Sequence, residues 1–189
     1  WFIENKIKEP KLISYLDIVA LGTVCDVVPL KGLNRLFVLK GLDVMNKKQN
    51  FGINALIEKS SIKSKISPYD LGFKLGPRIN AAGRLGRSSF GTELLTTKDE
   101  AKANEIAAQL DKFNKERKTI ESHVLDMANQ QVTEEKLFNK ILIVSGKNWH
   151  EGVIGIIASR LKDKYKKPCL VFSISNNIAK GSGRSIKGI

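Results

Sequence analysis

Cysteine, histidine and acidic side chains are scarce in this sequence, and each scarcity removes a class of protein. The two cysteines, Cys25 and Cys169, lie far apart in apolar runs. That pattern reads as two buried thiols in a reducing, cytoplasmic compartment and not as a disulfide framework. Only two histidines occur, His123 and His150, so a histidine-rich metal centre is ruled out. No apolar run approaches the roughly 20 residues that a membrane-spanning helix needs, which excludes a span. The G-x-x-x-x-G-K-S/T phosphate loop is missing, as are internal repeats and low-complexity stretches. The chain opens on Trp-Phe-Ile with no Met and no signal-peptide pattern, and both ends read as cuts from a longer protein. Asp and Glu number 19 against 32 Lys and Arg, a formal charge of +13 over 189 residues. A polyanion is the natural partner of such a surface, either nucleic acid or an acidic membrane. With 42% hydrophobic residues, the chain can bury the core of one large or two small domains.

What is present has order. Leu12, Tyr15, Leu16, Val19 and Ala20 fall at helical spacing, so a helix is expected over 11–21, stopped by Gly22-Thr23. A second is expected from Asn34 to Met45, with Gly41 as a weak point. Residues 49–91 read as short helices and ordered loops. Thr97 and Glu100 have capping-box spacing, and Ile106, Leu110, Phe113, Ile120, Val124 and Met127 then keep a four-three rhythm broken only by Arg117. One long helix over 98–132 follows, about 50 Å at 1.5 Å per residue, suited to a strut between domains. After it, Ile141–Val144, a helix carrying Val153, Ile154, Ile157 and Leu161, and the run from Cys169 form a strand-helix-strand unit with parallel strands. Asn176-Asn177 turns the chain back into a third strand, which a glycine loop opens around Gly181–Gly183.

Four places could carry chemistry. Asp26 is a carboxylate in an apolar stretch, where it must be capped, paired or metal-bound; on this feature alone an Asx turn or helix cap is the better explanation. Arg78, Arg84 and Arg87 sit among small residues in GPRINAAGRLGR, and guanidinium forks match phosphate oxygens. Pairing with nearby acids such as Glu93 fits equally. His150 falls where a strand gives way to a helix, the position at which ligands collect in open α/β sheets. Gly181-Ser182-Gly183-Arg184 combines hydroxyl, guanidinium and free backbone N–H groups into an anion nest, unless it is a plain flexible turn.

Five segments in order, YLDIVALGTVCDVVPL, GFKLGPRINAAGRLG, FNKERKTIE, WHEGVIGIIASRL and KGSGRSI, together resemble the RecJ family of 5′-to-3′ single-stranded-DNA exonucleases, part of the DHH phosphoesterase superfamily. The resemblance covers nearly the whole chain. It implies an α/β protein: the C-terminal helical tail of a DHH catalytic domain at 1–48, a helical connector at 49–135 and a truncated DHH-associated domain at 136–189. It implies that Asp26 is a ligand of a catalytic Mn²⁺ or Mg²⁺ pair held mostly by residues outside this stretch, with Cys25 where alanine is usual. Arg78, Asn80 and Arg84 would lie near the scissile phosphate or DNA backbone, and His150 would face the cleft. Ser182, Gly183 and Arg184 would hold the terminal 5′-phosphate. Asp26, Arg84 and His150 form the implied catalytic set. Two-metal hydrolysis of single-stranded DNA in repair and recombination follows, by a monomer helped by a single-strand-binding protein or helicase. The family's N-terminal aspartate motifs, its Asp-His-His triplet and its C-terminal OB domain are not among these residues, so the stretch alone is expected to be inactive. Two other readings are a DHH phosphodiesterase of short oligonucleotides or cyclic dinucleotides, whose Gly-Gly-Gly-His differs from Gly181-Ser182-Gly183-Arg184, and a non-catalytic nucleic-acid-binding module.

Overall fold

The structure is a computed structural model that describes residues 4–5 and 11–188. Packing groups the chain into two compact units, one holding the residues up to Gly83 with Arg87–Phe113, the other Arg84–Gly86 with Asn114 onward. The boundary therefore passes within the long helix, not at its ends.

The first unit is helical. After a 3-10 turn at Leu12–Tyr15 come α1 (Leu16–Cys25), α2 (Gly32–Met45) and α3 (Phe51–Lys59). Gly22-Thr23 does not stop α1, contrary to expectation. The Thr23 hydroxyl donates to the Val19 carbonyl (2.7 Å) within the helix, so the residue is satisfied in place. Gly41 is where α1 and α2 approach most closely, since a Cβ there would lie 2.1 Å from the Leu16 carbonyl oxygen. The glycine that weakens α2 as an isolated helix is what allows it to pack. A continuous helical stretch follows, α4 (Pro68–Asp70), a π segment (Leu71–Leu75) and α5 (Gly76–Arg84). Ser67 and Asp70 start it with a reciprocal capping box, and Pro68 occupies the first turn. The segment GPRINAAGR is thus helix and not loop. α6 (Ser89–Thr96) completes the set, and Ala20, Val38, Leu42, Met45, Leu56, Leu71, Leu75, Leu94 and Leu110 form the core.

α7 runs Glu100–Gln130, 31 residues and roughly 46 Å. Its cap differs from expectation: Asp99 Oδ1, not Thr97, accepts the N–H of Lys102 (3.1 Å), while the Thr97 hydroxyl accepts that of Asp99 (3.2 Å). The expected stripe is real, with Ile106, Leu110 and Val124 buried. The slot taken by Arg117 proves to be a buried polar cluster. Arg117 donates to Asn114 (3.1 Å) and pairs with Glu121, and Glu121 also pairs with Arg160.

The second unit adds α8 (Glu134–Phe138), β1 (Leu142–Lys147), α9 (Glu151–Tyr165), β2 (Cys169–Ser175) and β3 (Ile178–Arg184). The sheet order is β1-β2-β3, with β1 parallel to β2 and β3 antiparallel to it, as the pattern predicts. Asn176 and Asn177, both at positive φ (49° and 60°), make the two-residue hairpin turn. Leu142, Val144 and Val171 on one sheet face bury against Val153, Ile157 and Leu161 of α9 and Val124 of α7. One expectation fails here. Gly181–Gly183 do not open a loop, because they pair residue by residue with Phe172, Val171 and Leu170. Phe172 and Leu170 lie over the two glycines, where any Cβ would come within 2.8 Å of them. Among the described residues no helix is long and apolar enough to cross a membrane.

Candidate functional site

In the first unit a pocket of about 440 Å³ is lined by Leu21, Gly22, Cys25 and Asp26 from the end of α1 and by Gly76, Ile79 and Asn80 from α5. Asp26 caps the C-terminus of α1, its N–H donating to the Gly22 carbonyl (3.0 Å), and it is exposed. The expectation that burial forces a partner on it is corrected: its carboxylate sits in solvent at the pocket rim. A negative charge at the negative end of a helix is nonetheless unfavourable, so the position favours a cation. Val27, 86% exposed, takes the left-handed conformation (φ 57°), which β-branched residues rarely adopt. Backbone strain of this kind concentrates at functional sites. The Cys25 thiol is pushed up to about 11, by burial first and by the charge of Asp26 second. It stays protonated at neutral pH, donates weakly to the Leu71 carbonyl (3.5 Å), and is no nucleophile or thiolate ligand.

Asn80 and Asp26 thus share one pocket. Arg78 does not line it. Its guanidinium donates to Asp111 (2.9 Å) and to the carbonyl of Lys74 (2.7 Å), which ties α5 to α7 and to its own preceding turn. With a longer contact to the Lys59 carbonyl (3.5 Å), three of its five N–H donors have partners inside the protein. Arg87 is exposed, and Glu93 pairs with Lys102 (2.6 Å), not with an arginine.

The second unit gathers a different set around the first turn of α9. His150 is the N-cap, its Nδ1 accepting the Gly152 N–H (3.1 Å), which in the neutral ring leaves the proton on Nε2 as a free donor. Arg84 donates to the Gly152 carbonyl (3.1 Å). Its own carbonyl oxygen presses so close that a Cβ on Gly152 would lie 2.3 Å away. Ser182 and Arg184 project from β3 on the same face as Val171 and Cys169, their cross-strand partners, and so toward α9. A Cβ on Gly155 would come 3.2 Å from Ser182 Oγ and 3.4 Å from Arg184 Nη2. Arg184 in turn donates to Ser182 Oγ (3.3 Å) and to the Gly183 carbonyl (2.7 Å). Lys180 pairs with Glu151 (2.9 Å), which neutralises the acid of that turn. A 15-residue helix N-terminus with an adjacent hydroxyl and guanidinium attracts a phosphate-sized anion.

Arg84, His150, Ser182 and Arg184 are thus gathered in one unit, and Asp26 with Asn80 in the other. The missing side chain of Gly183 leaves room for Leu170 across the strand pair. Sequence reasoning missed Gly155; a glycine inside the apolar VIGII run of a helix was its signal. Among the described residues no group of three or more His, Cys, Asp or Glu side chains could hold a metal ion.

Comparison with known proteins agrees with this fold. Residues 136–189 match the model of the DHHA1 domain. The whole chain aligns at 42% identity with the single-stranded-DNA-specific exonuclease RecJ of Dickeya dadantii (strain 3937), covering 34% of that protein. The crystal structure of RecJ in complex with Mg²⁺ from Thermus thermophilus superposes on the entire chain with a TM-score of 0.85 at 32% identity, over 29% of its own length. A crystal structure of an exonuclease RecJ bound to manganese gives 0.84 at 31% identity, again over the entire chain and 47% of that structure. The chain spans about a third of the length of the curated RecJ relative from Dickeya.

Proposed function

On the premise that the chain belongs with the RecJ exonucleases it resembles over its full length, we propose that it forms part of a metal-dependent 5′-to-3′ exonuclease acting on single-stranded DNA in repair and recombination. The observation that carries the reading is the closeness of Ser182 and Arg184 to Gly155, in the second turn of α9. There the guanidinium fork and hydroxyl take the terminal 5′-phosphate, and the helix N-terminus adds its partial positive charge. Holding that end fixes the direction of digestion. His150 offers its Nε2–H to a phosphate oxygen, and Arg84, exposed and bound through one nitrogen to Gly152, adds a charged donor.

Oxygen donors suit Mn²⁺ or Mg²⁺, so Asp26 fits as one ligand of the metal pair. One carboxylate is a single corner of such a site, and the remaining ligands come from outside these 189 residues. When bound, the pair supplies Lewis acidity and an activated water. Asn80 orients a phosphate or water oxygen in the same pocket as Asp26. The free thiols Cys25 and Cys169 suit the cytoplasm, where we place the enzyme as a monomer working with a single-strand-binding protein or helicase.

Digestion of end-labelled single strands by the complete protein with Mn²⁺ tests this. Mononucleotides should be released from the 5′ end, and Arg184→Ala should slow attack on 5′-phosphorylated strands at least tenfold more than on 5′-hydroxyl strands. Equal slowing of both removes the phosphate-holding role. Release from the 3′ end, or preference for dinucleotides, removes the reading altogether.

A further inference from the structure

Among its described residues the first unit carries two aromatic pairs of opposite kind. Phe90 and Phe113 meet edge to face, centroids 5.7 Å apart, against the core. Tyr69 and Phe73 instead lie nearly parallel, centroids 4.7 Å apart and planes 24° from each other, with both rings in solvent at 62% and 69% exposure. Edge-to-face packing is the ordinary way to fill a core. A parallel stack held out in water leaves a flat π face free, and a nucleobase stacks on such a face.

The stack is rigidly mounted. Its residues stand four apart on the helical stretch started by the Ser67–Asp70 capping box, and Asp70 ties the turn down through Lys74 (2.8 Å). The chain entering this helix carries Lys59, Lys63 and Lys65, all exposed and none in an ion pair among the described residues. Glu58 is the one exposed acid between residues 58 and 74. Free ammonium groups four to ten residues before a flat aromatic surface in the chain offer what sequence-tolerant single-strand binding uses, lysines for phosphates and rings for bases. An apolar protein partner would call for an uncharged rim.

We propose that Tyr69 and Phe73 form a base-stacking platform for single-stranded DNA, with Lys59, Lys63 and Lys65 contacting the backbone of the same strand. The proposal rests on the exonuclease reading and extends it to residues that line neither the Asp26 pocket nor the α9 turn.

The test is binding of a 2-aminopurine-labelled oligodeoxynucleotide to the complete protein in metal-free buffer, where no cleavage occurs. Replacing both rings by leucine (Y69L with F73L) keeps the apolar bulk but removes the π faces. This variant should lose about tenfold or more in affinity, together with stacking-induced fluorescence quenching, at an unchanged salt slope. Replacing both by tryptophan should retain binding. Lys63→Ala with Lys65→Ala should instead flatten the log–log salt slope by about 1.4, at about 0.7 per lost contact on single strands. Wild-type affinity in the leucine variant, with digestion intact, overturns the platform alone, as does equal loss in the leucine and tryptophan variants, which marks a packing site. A wild-type protein that neither binds nor digests single strands overturns the exonuclease reading as well.

Discussion

Asp70 shows how a single carboxylate ties sequence to stability. It is buried, accepts the Ser67 N–H (3.0 Å) and hydroxyl (2.6 Å), and pairs with Lys74. The Lys74 ammonium first, and the Ser67 hydroxyl second, hold its carboxyl below the ordinary 3.8. A depressed folded value means that the stabilisation is complete above the unfolded value and lost as pH falls through the folded one. Asp70→Asn should therefore cost about 1 kcal/mol at pH 7, the usual worth of such a cap. The cost should shrink in strong acid relative to pH 7, as pH falls through the depressed folded value and the native carboxyl is protonated. Urea unfolding at the two pH values measures this, and a cost independent of pH would assign the effect to packing. Arg78 makes the opposite point. Composition leaves it level between a phosphate contact and an ion pair, and Asp111, 33 positions away, takes its guanidinium. No local pattern announces a partner that far along the chain.

At the level of elements, the break in the α7 stripe is the informative feature. Periodicity locates the break at Arg117, but only the structure supplies Asn114, Glu121 and Arg160 around it. Glu121 is 2% exposed and holds the largely buried Arg117 as well as the exposed Arg160, so removing it strands the Arg117 charge away from water. Glu121→Ala should destabilise by about 3 kcal/mol, as expected when one partner of a buried ion pair is removed. Calorimetric melting checks this, and a loss under about 1 kcal/mol, the range of solvent-exposed pairs, would show that water reaches the cluster. The capping of α7 was legible to within two residues; competition between two neighbouring oxygens, Thr97 and Asp99, settled which one caps. In β3 the glycines invite a loop reading because glycine is common in turns. Their cross-strand neighbours decide otherwise, since Phe172 and Leu170 need the space that a side chain would fill.

For the whole molecule, a formal charge of +13 should govern how binding responds to ions. If four or more lysine and arginine contacts displace counterions, affinity for single strands should fall with a log–log salt slope of about −3 or steeper. Titrations of the complete protein between low and physiological salt measure it, and a flat response would point to a small-molecule substrate. Sequence alone determined the strongly basic charge, the long helix, the parallel strand-helix-strand unit with its hairpin return, and the segments proposed to carry chemistry. Each depends on residue composition or on spacings of two to four residues, which local physics reads directly. Tertiary structure alone decided that Asp26 stands exposed at a helix end beside Asn80 and that Arg78 is tied to Asp111. It likewise placed Ser182 and Arg184 against Gly155. Those outcomes depend on contacts between residues tens of positions apart, and such distances are set only when the core closes.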